Sequence, residues 1–269
     1  MNNSEYLDQL VDAVLASRKY KNISQDLIKN VGSQELSKHH TLKDAIKATR
    51  NKLHQVAGAY LEGETPYASW LAELKHALQQ EDKSRLRHVC MSIMRHHAST
   101  RERLPLLEQF YTILLADLPP INTVIDLACG LHPLAIPWMP LGEHVQYYAY
   151  DIYKDMTNFL NDFVTIINIQ GCAQSCDVIQ SCPTHHVDLA FMLKAIPCLE
   201  QVNKTATLRL LDTINADHLL VSFPVHSLGG RKKGMAANYE ARSRELVAHK
   251  NWSIERFEFA SELVFRIAK

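Results

Sequence analysis

Thr123-Val-Ile-Asp-Leu-Ala-Cys-Gly130 is the stretch that decides the fold. A short apolar, β-favouring run carries Asp126 near its end and turns at Gly130. In an open α/β sheet, ligands bind beyond the carboxyl ends of the strands. Gly130 lets the backbone pass close to a ligand with no Cβ in the way. The next β-rich run, Val145–Tyr150, ends in Asp151. A carboxylate about 20 residues beyond a glycine turn is placed to accept hydrogen bonds from both hydroxyls of a ribose.

Working outward, further β-rich runs lie at Val187–Leu193, His218–Phe223, Ile254–Phe259 and Leu263–Ile267. The first four runs of the whole series are separated by stretches long enough for a helix, which predicts a parallel sheet with crossover helices. The last two are separated only by Ala260-Ser261-Glu262, which predicts an antiparallel hairpin. Before Pro119-Pro120 the rhythm is different. Apolar residues recur at three and four over 4–18, 24–36, 41–60, 67–80, 84–97 and 100–117, the period of amphipathic helices. Thr41 fits an N-cap with Asp44 in the first turn, and Pro66 fits a helix start after Gly63. The reading is a helical domain over residues 1–104 and an α/β domain over 105–269. No internal repeat breaks this pattern.

The chain has 269 residues, 46% of them apolar and 22% charged, enough for a substantial core. Its 29 basic and 29 acidic residues balance, so whole-chain charge says nothing about a nucleic-acid partner. The distribution does: residues 1–104 hold 16 Lys and Arg against 12 Asp and Glu, with seven of the fourteen His. That places a mildly basic surface at the front. No apolar run reaches the roughly 18 residues of a membrane span, and Met1 to Leu10 is acidic and polar rather than a signal sequence. A cytoplasmic protein with reduced thiols is expected. Cys172, Cys176, Cys182, His185 and His186 cluster, but their spacings do not match paired zinc ligands, so no metal is expected.

The turn at Gly130 has one glycine where a dinucleotide fingerprint has three, because a pyrophosphate must lie against a helix N-terminus. S-adenosylmethionine has no phosphate and relaxes that demand. A parallel sheet closed by a hairpin is also the layout of the class I, Rossmann-like, methyltransferase fold. Asp126 can equally be a carboxylate that orders a turn.

Four blocks extend the case: His97-Ala-Ser-Thr-Arg-Glu-Arg-Leu-Pro105, Ile125-Asp-Leu-Ala-Cys-Gly-Leu-His-Pro-Leu-Ala-Ile-Pro-Trp-Met139, Leu193-Lys-Ala-Ile-Pro-Cys-Leu-Glu200 and Val221-Ser-Phe-Pro-Val-His-Ser-Leu-Gly-Gly-Arg-Lys-Lys-Gly-Met235. In this order they resemble the aminoglycoside-resistance 16S rRNA methyltransferases, which methylate N7 of a guanine in the ribosomal decoding site. The family commonly has Asn where this chain has His132. The resemblance implies an S-adenosylmethionine-dependent enzyme acting on the 30S subunit; a monomer with no DNA or membrane partner is expected. It implies that Arg103, with Thr100 nearby, pairs with the methionine carboxylate, a match for a guanidinium fork. Ala128 and Gly130 would line the cofactor backbone at the end of the Asp126 strand. Asp151 would hold the ribose, and Asp177 the adenine amino group with Val178 on the ring. Lys194, Glu200, Ser222, Phe223 and Arg231 would flank the target nucleotide. For Phe223, as for Phe191, a place in the core competes with stacking on an extruded base. No acid–base catalyst is expected, since guanine N7 offers a lone pair and no proton.

The candidate ribosome-facing surface starts on the 41–60 helix, where Lys43, Lys47, Arg50 and His54 share one face. A charged helix face is usually just solvated. Asp44 is the only acid between Lys38 and Lys52, so this face can track a phosphate backbone. Arg85, Arg87, His88, Arg95, His96 and His97 form a second cluster, and Arg231, Lys232 and Lys233 a third. Two other readings stay open on the residues: methylation of a neighbouring adenine at N1, and a non-catalytic RNA-binding protein on the same fold.

Overall fold

A computed structural model describes residues 3–58, 60, 61, 65–225, 235–248 and 250–269. The helical front contains α1 (Asn3–Leu15), α2 (Gln25–Lys38), α3 (Leu42–Leu53), α4 (Tyr67–Gln79), α5 (Lys83–Met94), α6 (Ala98–Arg103) and α7 (Leu107–Leu115). Thr41 caps α3 as expected, its Oγ1 accepting from Asp44 N at 3.1 Å. Two expected helices are shorter than their periodicity. The 41–60 helix changes after Leu53 into a π turn, His54–Gly58. The 100–117 helix is broken by a 3₁₀ turn at Leu104–Leu106. Pro105 has no N–H to continue the ladder, so the chain tightens and restarts at Leu107.

The sheet contains β1 (Thr123–Leu127), β2 (Gln146–Asp151), β3 (Gln170–Ser175), β4 (Val187–Leu193), β5 (Ala216–Pro224), β6 (Ser253–Glu258) and β7 (Glu262–Ala268). Its order is β3-β2-β1-β4-β5-β7-β6. The first five strands are parallel and β7 runs antiparallel to both β5 and β6. Connecting helices are α8 (Lys154–Ile166), α9 (Ile196–Val202), α10 (Ala206–Thr213) and α11 (Met235–Val247). β3 has no counterpart in the apolar pattern. It is an edge strand, Gln-Gly-Cys-Ala-Gln-Ser, in which only Ala173 is buried. What holds it is Asn161 of α8, whose carboxamide donates to Ala173 O at 2.6 Å and accepts from Ala173 N at 2.7 Å.

Three apolar clusters organise these elements. On one face of the sheet, Trp70, Leu74, Ile93, Phe110 and Leu114 pack with Val124, Tyr147 and Phe159. On the other, Ile125, Leu127 and Val221 pack with Leu199, Leu210 and Leu246. Helices α1 to α3 have their own core, including Leu10, Val14, Ile28 and Leu53, which reaches Val202 of α9. Thus α4, α5 and α7 share the core of the sheet, and α1–α3 form the more separate body. That body is tied to the sheet by backbone: Ser24 N donates to Ile152 O and Lys154 N to Asn22 O, both at 2.8 Å. These bonds lie directly after Asp151, so the front is attached at the expected ligand end of β2. No helix among the described residues is long and apolar enough to cross a membrane.

Candidate functional site

The sheet reverses its order between β1 and β4, and open α/β sheets bind ligands at such a switch point. The turn after β1 has two left-handed residues, Ala128 at φ +51° and Gly130 at φ +54°. An alanine there carries strain of about 1–2 kcal/mol, which persists because the turn is pinned. Cys129 N donates to Tyr150 O at 3.0 Å, and Gly130 N donates to Asp151 Oδ2 at 2.8 Å. The other oxygen of Asp151 accepts from Ile152 N at 2.7 Å and Tyr153 N at 3.3 Å. Burial nevertheless pushes the Asp151 carboxyl up, against the pull of those three amides. The glycine at 130 has a further cause. A Cβ there would come within 2.6 Å of the His97 imidazole. Burial, with Arg103, Lys194 and Arg101 adding to it, pushes His97 down to about 4, so the ring is neutral at pH 7.

Beyond this turn opens a cavity of about 810 Å³, part of it continuous with solvent. Ala128, Asp151, Asp177, Val178 and Lys194 of the expected residues line it. So do several that the sequence reading did not single out: Leu27 of α2, Val56 of the π turn, Tyr60, Ser99 and Cys198. Asp177 is buried, and accepts from Ile179 N at 3.0 Å and from Asn30 Nδ2 at 2.9 Å. The wall is chiefly apolar, with carboxylates at two separated points. Each of these carboxylates retains lone pairs beyond its present bonds. That acceptor set fits an adenosyl group: hydroxyls at Asp151, an amine at Asp177, and a ring between Val178 and the apolar front.

The remaining expected residues are close by but are differently employed. Arg103 is fully buried and forks onto Glu262, Nε to Oε2 at 2.9 Å and Nη2 to Oε1 at 2.6 Å. Its Nη1 is buried with no hydrogen-bond partner among the described residues, a donor edge still to be satisfied. Thr100 spends its hydroxyl on the carbonyls of Met94 and His97 and does not line the cavity; Ser99 does. Asp126 lies behind the turn, accepting from His132 Nδ1 and Tyr147 Oη, each at 2.8 Å. It orders the turn rather than facing the cavity. His132 continues the chain to Tyr111 Oη at 2.8 Å.

The residues expected around a target nucleotide are largely committed to protein partners. Lys194, at φ +56°, pairs through Nζ with Glu102 at 2.7 Å and lies 3.6 Å from Glu262. It is on the cavity wall but is not a free cation. Ser222 is fully buried, donating to Glu262 and accepting from Lys194 N. Glu200 accepts from Arg242 at 3.0 Å. Phe223 stacks on Tyr239 and is 1% exposed, and Phe191 is fully buried. Both rings belong to the core, because strands β4 and β5 are covered on both faces. Glu262, which joins Arg103, Ser222 and Lys194, was missed. Its only signal is a carboxylate opening the otherwise apolar strand Glu262-Leu-Val-Phe. Arg231, Lys232 and Lys233 lie outside the described residues.

On α3 and its extension, Lys43, Lys47 and His54 are exposed. Lys19 joins them, its Nζ 2.9 Å from His54 Nδ1. Arg50 departs from the expectation: its Nη2 donates to Ala13 O at 2.6 Å, so the guanidinium is folded onto α1. In the second basic cluster Arg85, His88 and Arg95 are exposed, whereas Arg87 is held by Pro137 O and Glu108. His96 packs its ring on Trp70.

Residues 16–266 match the family described as Ribosomal RNA methyltransferase (FmrO). The chain is 33% identical over 265 residues to a 16S rRNA (guanine(1405)-N(7))-methyltransferase of Micromonospora echinospora, covering 98% of this chain and 97% of that one. It is 31% identical over 235 residues to one of Serratia marcescens, covering 87% of each. Among solved structures, the 16S rRNA methyltransferase RmtF in complex with S-adenosyl-L-homocysteine superposes with a TM-score of 0.82 at 27% identity, over 100% of this chain and 99% of that one. The 16S rRNA methylase RmtB superposes with a TM-score of 0.78 at 26% identity, over 98% of both. The match over nearly the whole length, on a switch-point cavity with these two carboxylates, shows that the chain belongs to the FmrO family of ribosomal RNA methyltransferases.

Proposed function

We propose that this chain transfers a methyl group from S-adenosylmethionine to N7 of a guanine in the decoding site of 16S rRNA, and so confers aminoglycoside resistance. It acts in the cytoplasm, as a monomer, on the assembled 30S subunit. The observation that carries the reading is the cavity at the β1–β4 switch point, with Asp151 and Asp177 on its wall, in a chain similar end to end to enzymes named for that reaction.

When bound, S-adenosylmethionine supplies a sulfonium-activated methyl group. The protein's part is to hold, orient and exclude water. Asp151 accepts from the ribose and Asp177 from the adenine, while the Ala128–Gly130 turn brings backbone close to the cofactor. Arg103, whose Nη1 is a buried donor without a partner among the described residues, is assigned to the methionine carboxylate on its motif. Guanine N7 needs no base to become nucleophilic, which agrees with a neutral His97 and an ion-paired Lys194 near the cavity. Alignment of this kind supplies roughly 7–11 kcal/mol in favourable cases. Labelled S-adenosylmethionine incubated with purified 30S subunits, followed by nucleotide mapping, tests the reading. N7-methylguanosine in the decoding site is expected. No incorporation by a protein that binds S-adenosylhomocysteine overturns it, and a label on adenine N1 moves the acceptor.

The front, residues 1–104, presents Lys43, Lys47, His54 and Lys19 to rRNA, and residues 105–269 carry most of the cofactor site. The double variant Lys43→Glu, Lys47→Glu should weaken 30S binding and make it less salt-dependent. Each lost phosphate contact lowers the log–log slope by about one. Cofactor affinity should be unchanged in the same variant. Filter binding across a salt series checks this, and an unaltered slope rejects the face. The undescribed segment with Arg231, Lys232 and Lys233 is assigned to the same RNA on its sequence.

A further inference from the structure

We propose that α2 of the helical front is part of the cofactor site, and that Asn30 is a positioning residue which presents the Asp177 carboxylate to the adenine amino group. This rests on the reading of the cavity as an S-adenosylmethionine site.

Asp177 follows β3, on a loop whose own backbone satisfies only one side of the carboxylate, through Ile179 N on Oδ1. The other oxygen is held at 2.9 Å by Asn30 Nδ2, which is 147 residues earlier in the chain. The orientation of the Asn30 carboxamide is dictated by chemistry. An ionised carboxylate only accepts, so the NH₂ must face it. The opposite end, Asn30 Oδ1, receives Gln34 Nε2 at 3.0 Å from the next turn of α2. The series Gln34, Asn30, Asp177 thus runs in one donor direction and ends on a buried acceptor. Leu27, one turn before Asn30, lines the same cavity and is 3% exposed.

Protonation of the carboxyl would turn one of its oxygens into a donor and leave the other a weaker acceptor for an amine. Burial raises the Asp177 carboxyl, and the Asp26 carboxylate nearby raises it further, while Asn30 and Ile179 N–H oppose them. The Cys176 thiol is the other titratable group beside it. Asn30 is the side chain among these that favours the ionised form.

The experiment is calorimetric titration with S-adenosylhomocysteine and with S-inosylhomocysteine, which lacks the amino group. It uses the full chain as wild type, Asn30→Ala, Asn30→Asp, Asp177→Ala and the Asn30→Ala, Asp177→Ala double variant. Loss of a hydrogen bond to a charged group should weaken S-adenosylhomocysteine binding about tenfold in Asn30→Ala. The preference over the inosyl compound should shrink by a similar factor. On the Asp177→Ala background, removing Asn30 should cost nothing further. Asn30→Asp, which keeps the shape and sets a second carboxylate against the first, should bind more weakly still. Binding in Asn30→Ala equal to wild type overturns the role of Asn30. So does an equal loss with and without Asp177, or an unchanged preference between the two compounds. Wild-type protein that binds neither compound overturns the cofactor reading itself, and this inference with it.

Discussion

Glu262→Gln should destabilise the protein by about 3–5 kcal/mol, the cost of breaking one side of a buried ion pair. Glu262 is fully buried and is the ion-pair partner of Arg103, with Lys194, paired to Glu102, 3.6 Å away. Glutamine keeps the shape and one acceptor but leaves the guanidinium without its counter-charge. For a chain of this size the melting temperature should fall by about 10 °C, at roughly 2–4 °C per kcal/mol. Arg103 and Lys194 hold the Glu262 carboxyl below its ordinary value of 4.5, despite burial. The folded state therefore binds this proton less readily than the unfolded chain. That contribution is present above the ordinary value and is lost as pH falls through the depressed one. Denaturant melts of both proteins between pH 7 and pH 3 check the whole statement. The wild type should lose stability in acid more steeply than Glu262→Gln, whose residue 262 cannot titrate. A variant within about 1 kcal/mol of wild type at pH 7 would show that the cluster is solvated like a surface pair.

Gly130→Val should weaken cofactor binding about a hundredfold with the helices and sheet retained. Gly130 sits at φ +54°, and an added Cβ would be 2.6 Å from the His97 ring. A left-handed β-branched residue costs about 1–2 kcal/mol, and overpacking adds about 1–3 kcal/mol. The sum is roughly two decades of affinity for S-adenosylhomocysteine at about 1.4 kcal/mol per decade. The turn would have to shift, and Gly130 N would leave Asp151, so the ribose acceptor is disturbed as well. Since His97 is the obstacle, a Gly130→Ala variant should recover part of its loss when combined with His97→Ala. Calorimetry and circular dichroism on the set provide the test. Affinity of Gly130→Val within threefold of wild type would falsify the account of why a glycine stands there.

These two positions were unequally visible in the amino-acid sequence. Gly130 announces itself, because a lone glycine after a β-rich run has a local meaning. Glu262 does not, because nothing within a few residues of it says that Arg103, 159 positions earlier, will be its partner. The same division runs through the site. Asp151 is found at a strand end on the cavity wall, where the β-rich run after the glycine turn puts it, whereas Asp177, on the same wall after the polar strand β3, was implied by the family resemblance alone. Asp126 satisfies the same local pattern but serves the interior, as does Thr100 of α6, which the resemblance alone implied. Which side a carboxylate at a strand end faces depends on what packs behind it, here His132 and Tyr147.

The order of helices and strands, the parallel sheet with its closing hairpin and the glycine turn follow from the sequence by itself, because each rests on residues within one or two turns of one another. The family was legible for a related reason, since its four motifs are contiguous blocks. Tertiary structure alone decided the polar edge strand β3, the buried Arg103–Glu262 pair, the folding of Arg50 onto α1, the entry of Leu27 into the cavity and the bond from Asn30 to Asp177. Each of these is a contact between segments far apart in the chain. Its partner is selected by how the layers stack and how burial forces every charge and polar group to find one.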